Sequence, residues 1–203
     1  MRTERGLDRF ITFLDAVVAI ASTLLVLPLT EIVVGTHPPP HAADVFTQNG
    51  ARFWAFLLSF AVIGRLWVAH HRIVERVGAY DGAFVLVNLW WVLTVVFLPF
   101  ATQLTSAYPA TDRLPVAVYL GTLTLSAVFL SVAAVLVWRR PALRREGVEA
   151  KDAAPWAALV TTAVFLIALV LGTAVSWINY YALLLPLLAS PVERRLGLVR
   201  PPG

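Results

Sequence analysis

The chain has 203 residues, 59% of them hydrophobic and 14% charged. Soluble globular chains run at roughly 45–50% apolar and about 25% charged, so this composition excludes a soluble globular core and points to an integral membrane protein. Cys is absent, which removes disulfides, thiolate metal sites and a cysteine nucleophile, while the net charge of +4 requires a look at where the charges lie.

The first apolar stretch runs from about Leu7 to Leu29, and a helical span needs about 20 such residues. Arg9 and Asp15 stand at its mouth, and from Ala16 to Leu29 the only polar side chains are Ser22 and Thr23. A charge costs roughly 2.5–3.5 kcal/mol at a helix centre, so this pair is a functional-site candidate; alternatively Arg9 snorkels to the headgroups and Asp15 is paired or capped. The stretch is too long for a signal-peptide core and has Asp15 inside it, so no cleavable leader is expected. The connection from Thr30 to Gly50 contains His37-Pro38-Pro39-Pro40-His41, an extended, stiff run that cannot continue a helix.

The second span is expected from about Arg52 to His71 and the third from about Gly82 to Leu104. The fourth covers about Leu114 to Trp138, the fifth about Pro155 to Thr173 and the sixth about Trp177 to Val192, the last two forming a tight hairpin. Pro186 and Pro191 would kink or end the sixth. The expected architecture is all-α, one six-helix transmembrane domain over residues 1–203, in the cell membrane.

Charge orients it. Arg2, Arg5 and Arg9, Arg72 and Arg76, Arg139, Arg140, Arg144, Arg145 and Lys151, and Arg194, Arg195 and Arg200 all fall on one side, 13 of the 16 basic residues. Only Arg52 and Arg113 fall opposite, and Arg65 lies inside the second span. The positive-inside rule puts both termini in the cytoplasm, and nucleic-acid binding is set aside. Trp54, Trp90, Trp91, Trp138, Trp156 and Trp177 lie near span ends, as in an aromatic belt, whereas Trp67 sits among polar neighbours.

Intramembrane polar groups must find partners. Asp15, the Trp67–His71 region and Asn88 fall at similar depth, so a hydrogen-bonded knot among Asp15, Trp67, His71 and Asn88 is expected, either as helix–helix glue or in direct service of transport. At about 100° per residue, Ile20, Leu24 and Leu27 fall within about 60° of one another with Thr23 alongside, and Asp15 lies about 140° from Ile20. If this helix lines a pathway, the lining is apolar, a device that gates by dewetting. The same periodicity also describes a stripe that faces lipid or packs in a bundle.

Arg9-x-x-x-Phe13-x-Asp15, followed by Ala16-Val17-x-Ala19-Ile20-x-x-Thr23-Leu24-Leu25-Val26-Leu27, resembles the opening of the TMEM175 family of potassium channels. The likeness continues in Ser59-Phe60, Trp67-Val68-Ala69-His70-His71-Arg72, Asn88-Leu89 and Leu98-Pro99-Phe100, and beyond Pro109 it is only hydropathic. Leu14 stands where the family pattern has a serine. The resemblance implies a potassium-permeable cation channel, without cofactor, lined by the first helix of each subunit in a homotetramer. It implies that Ile20, Leu24 and Leu27 form the apolar constriction, that Thr23 supplies a hydroxyl layer, and that Arg9, Asp15, Trp67, His71 and Asn88 brace the first helix.

Other readings are proton conduction, alone or beside potassium, and a metal-binding protein or membrane enzyme built on His37, His41, His70 and His71. The apolar face lacks a chain of ionisable groups, and adjacent histidines on a helix diverge by about 100°, unlike an i,i+4 metal pair. A secondary transporter would show an inverted repeat or broken helices, and neither is evident.

Overall fold

The computed structural model describes residues 4–35, 40–109 and 112–174. Seven α-helices cover them: α1 (Glu4–Leu24), α2 (Leu27–Val34), α3 (Ala42–Gln48), α4 (Gly50–Val74), α5 (Gly82–Ala107), α6 (Arg113–Arg139) and α7 (Trp156–Ala174), with a short 3-10 turn at Pro141–Leu143. Among the described residues, five segments are long and apolar enough to cross a membrane, α1 and α2 counting together as one. The proposed sixth span, the C-terminal arginines and His37 lie outside the described residues.

The first span differs from the continuous helix expected over 7–29. Its ladder is interrupted at Leu25 and Val26, and α2 then carries on to Val34. Pro28 is the cause: it has no N–H to give the Leu24 carbonyl, and its ring crowds that same carbonyl four residues back. The chain substitutes shorter i→i−3 bonds, Val26 N to Thr23 O at 3.2 Å and Leu29 N to Val26 O at 2.9 Å. Val26 itself keeps right-handed helical angles (φ −79°, ψ −20°). The connection expected from Thr30 to Gly50 is correspondingly shorter and contains α3, whose Phe46 stacks on Phe53 of α4 at 5.0 Å between centroids.

α6 is the centre of the bundle. It packs extensively on α5 and α7 and also touches α4, and it buries Tyr119, Leu120, Leu123, Ala127, Leu130 and Ala134. Aspartates start two of the helices: Asp81 accepts from Phe84 N at 2.8 Å to open α5, and Asp112 accepts from Leu114 N at 3.0 Å to open α6. α1 joins through one stripe. Leu7, Leu14, Val18, Ala21 and Leu25, spaced seven, four, three and four residues apart, are all buried.

At the arginine-rich end two connections interlock. Gly78 N and Ala79 N donate to Leu143 O at 3.0 and 3.3 Å, and Arg145 N donates to Arg76 O at 2.8 Å. An isolated antiparallel bridge between Val77 and Arg144 completes the contact, and Arg140 pairs with Asp81 across it. The Phe84 amide, with help from Arg140, holds the Asp81 carboxyl below the usual carboxylate range. This collar needs a glycine: a Cβ on Gly78 would lie 2.8 Å from the Arg145 Cα, which cannot rotate away. Gly78→Ala is therefore expected to push the two connections apart at a cost of about 1–3 kcal/mol, the usual range for overpacking. Faster proteolysis of the 140–155 connection would register it; an unchanged cleavage rate would contradict the collar.

Candidate functional site: the outer face of α1 and its braces

Because one stripe of α1 is buried, the opposite stripe is presented outward. Phe13, Ile20, Leu24 and Leu27 are 52%, 59%, 39% and 51% exposed, and Arg9 and Thr23 are exposed with them. No described element covers this face. Ile20, Thr23 and Leu24 ride on α1, whereas Leu27 belongs to α2, beyond the interruption. The Thr23 hydroxyl donates to the Ile20 carbonyl at 2.7 Å, so its proton points into the helix and its oxygen lone pairs face outward. Between Phe13 and Leu27 that oxygen is the polar atom on an apolar strip, and a lone pair suits a cation; Arg9 stands at the mouth of the same face.

Asp15 lies on the flank, half-buried, where it ties α1 to α4. Its Oδ1 accepts from the Trp67 indole Nε1 of α4 at 2.9 Å. Trp67 in turn stacks on His71 at 5.4 Å, and His71 Nε2 lies 3.3 Å from Glu75 Oε1. An indole can only donate and an ionised carboxylate can only accept, so this bond has a single polarity. Arg9, six residues before Asp15, has no partner among the described residues.

Asn88 does not join that group. Its Oδ1 lies 2.8 Å from His70 Nε2 and its Nδ2 donates to Phe84 O at 2.7 Å. Since a carbonyl only accepts, Phe84 orients the amide and leaves Asn88 Oδ1 toward His70, whose Nε2 must then carry the proton. His70 is fully buried and lies flat on Trp91, with centroids 4.0 Å apart and planes 7° from parallel. The single knot expected among Asp15, Trp67, His71 and Asn88 is thus two clusters, one on the α1–α4 seam and one between α4 and α5. The reason is helical: neighbouring residues diverge by about 100°, so His70 and His71 cannot serve the same partner. Trp91, expected in an aromatic belt, is instead a buried ring.

A third polar group joins Ser59, part of the family-like pattern, to Thr102 and to a residue that no pattern marked, Tyr119. Ser59 Oγ lies 3.1 Å from the Tyr119 hydroxyl and 2.8 Å from Thr102 Oγ1, tying α4, α6 and α5 together inside the core. Tyr119 lies outside every motif, one of several hydroxyls on an otherwise apolar helix. Arg65, inside α4, reaches Thr161 of α7 at 3.5 Å. No three His, Asp or Glu side chains converge as a metal site among the described residues.

Comparison with known proteins places this geometry. A family model described as the endosomal/lysosomal potassium channel TMEM175 matches residues 9–99, which hold most of α1, its flanking clusters and most of α5. A potassium channel of Chamaesiphon minutus is 36% identical over 148 residues, 70% of this chain and 68% of that protein. A human relative named endosomal/lysosomal proton channel TMEM175 is 30% identical over half of this chain, but the match spans only 20% of its own length. The crystal structure of a lysosomal potassium-selective channel TMEM175 homolog from Chamaesiphon minutus superposes with a TM-score of 0.72 at 27% identity, covering 94% of this chain and 98% of that one. Extended agreement in sequence with a relative of similar length, and in fold over nearly the whole chain, leads to one conclusion: this multi-pass membrane protein belongs to the TMEM175 family of ion channels.

Proposed function

We propose that this chain is the subunit of a potassium-permeable cation channel in the cell membrane, a cyclic homotetramer with both termini cytoplasmic, whose pathway is lined by the outer face of α1. Ile20, Leu24 and Leu27 form its apolar constriction and Thr23 its hydroxyl layer, while Asp15, Trp67 and His71 brace the helix against α4; Asn88 acts one layer back, fixing His70 between α4 and α5, and Arg9 stands exposed at the mouth of the face. One observation carries the reading: the face of α1 opposite its buried stripe is exposed and uncovered, and it bears an outward hydroxyl oxygen among apolar side chains. Around a fourfold axis such faces converge, and an apolar ring excludes water until it widens. The C. minutus relative, named a potassium channel, supports this choice of ion.

Proton conduction is the second reading, favoured by the names of the vertebrate relatives. Here the titratable side chains Asp15, His71 and Glu75 lie along the α1–α4 flank rather than on the outer face. Reconstitution in liposomes with separate potassium and proton gradients distinguishes the two, and sizing in detergent tests the tetramer. A potassium-tight vesicle with a protein-dependent proton leak would replace the first reading by the second.

The braces have their own test. Asp15→Asn keeps the size of the side chain but weakens a charge-assisted bond, worth about 1.5–3 kcal/mol, to a neutral one. It is expected to reduce the yield of assembled protein and leave ion preference unchanged in what does assemble. Altered selectivity with normal assembly would move Asp15 from brace to pathway.

A further inference from the structure

We propose that the groove between α6 and α7 is a binding site for an anionic phospholipid from the leaflet at the arginine-rich end. The groove holds about 470 Å³ and is walled by Val128, Val132, Val135 and Leu159. Its only side-chain hydroxyls, Ser131 and Thr162, are bonded to each other at 2.8 Å, so they consume their own polarity. At one end stand Arg139 and Arg140, and there a second recess of about 660 Å³ begins, lined by Tyr80, Asp81 and Gly82 with the same two arginines. An apolar trough and a polar recess that share a pair of arginines have the form of an amphiphile.

Length and charge both select a lipid. From Val128 to Arg139 the helix rises by about 16 Å at 1.5 Å per residue, close to half of a hydrocarbon core about 30 Å thick. The trough therefore runs one leaflet deep, the reach of one acyl chain, and it ends where a headgroup phosphate sits. Arg140 is already paired with Asp81, whereas Arg139 is exposed and has no partner among the described residues. The recess thus presents one uncompensated guanidinium, which matches a phosphate oxygen pair and gives a net-neutral headgroup less. Trp156, exposed at the first turn of α7, marks the interfacial level on the neighbouring helix.

The test uses the full chain, whose lack of native Cys allows a single reporter. Val132→Cys, 40% exposed in the trough, is labelled with bimane and the protein is placed in phosphatidylcholine vesicles. Quenching is compared for the same small fraction of brominated phosphatidylglycerol or brominated phosphatidylcholine. The anionic lipid is expected to occupy the trough about fivefold more effectively, the effect of one arginine near the membrane surface. Arg139→Gln should remove this preference and Arg139→Lys should retain most of it, while the Asp81–Arg140 pair is left intact in both. A control label at Leu166→Cys, on an exposed part of α7, should show no headgroup preference. In the otherwise unchanged protein, rising salt should shrink the preference, a readout that needs no change at Arg139. Equal quenching by both lipids, a preference that survives Arg139→Gln and high salt, or a trough that neither lipid quenches because protein covers it would each overturn the proposal.

Discussion

Asparagine in place of Ile20 is expected to raise potassium flux through reconstituted protein about tenfold or more, with assembly intact. Ile20 is the most exposed of the apolar side chains on the outer face of α1, at 59%, so the change removes little packing among the described residues. On the proposed tetrameric reading, what it removes is an apolar ring. Four such side chains facing one another would hold no water, and an ion crossing them would shed hydration without replacement. An amide supplies both a donor and an acceptor, so water can stay. Since each ~1.4 kcal/mol taken from a barrier is tenfold in rate, even a small part of an ion's dehydration cost gives a measurable change. Liposome potassium efflux, compared with a proton-flux assay on the same vesicles, reads it directly. Unchanged flux from correctly assembled protein would mean that Ile20 faces lipid and that the pathway lies elsewhere.

Leu14→Ser is expected to do the opposite kind of damage, lowering the unfolding midpoint while leaving the outer face untouched. This position departs from the family pattern, in which a serine is expected. Here the leucine is 1% exposed and lies in the buried stripe with Leu7, Val18, Ala21 and Leu25. Deleting a buried leucine side chain down to a small residue costs about 2–5 kcal/mol through lost contacts and the cavity left behind. Because lipid is itself apolar, packing rather than water exclusion supplies the term, so a value near the lower end, about 2 kcal/mol, is expected. A serine hydroxyl can satisfy itself on the carbonyl four residues earlier, as Ser22 does on Val18 O at 2.9 Å, so the polar group adds little to the cost. Leu14→Met, which conserves volume, should cost under about 1.5 kcal/mol. If the serine variant melts with the parent in detergent, the buried stripe does not hold α1 to the bundle.

Hydropathy was sufficient to find α4, α5, α6 and α7, because about 20 uninterrupted apolar residues bounded by charge have one stable form in a membrane. It was insufficient for α1, where Pro28 is apolar and so passes unnoticed in a hydropathy reading while still breaking the hydrogen-bond ladder. The outer face of α1 was legible from angles alone, since its members repeat every three or four residues. Whether that face was covered was not legible, because cover depends on which residues of other helices arrive opposite. The polar clusters show the same limit. Depth placed Asp15 and Trp67 together correctly in kind, but depth cannot say which of two adjacent histidines turns toward Asn88. That depends on the rotation of α4, set by Leu58, Val62, Ile63, Leu66 and Ile73 packing into the core. Tyr119 was invisible for a simpler reason: nothing in the sequence sets it apart from the other hydroxyls of α6, and its partners Ser59 and Thr102 lie on two other helices.

The interruption at Leu25 and Val26 gives the first span a mechanical character that an unbroken helix lacks. Bending stiffness in a helix comes from its regular ladder, and here Leu24 has lost the bond that Pro28 would have supplied. The compliance of the span is therefore concentrated at one joint, directly beneath Leu27. Torque applied to α2 from the connection that follows it would flex that joint before it turned α1. On the N-terminal side of the joint, the Asp15–Trp67 bond ties α1 to α4, which on the proposed reading resists rotation of α1 about its own axis. A span that is soft at one point and clamped at another divides its outer face into two independently positioned bands: Leu27 above the joint, and Ile20, Thr23 and Leu24 below it.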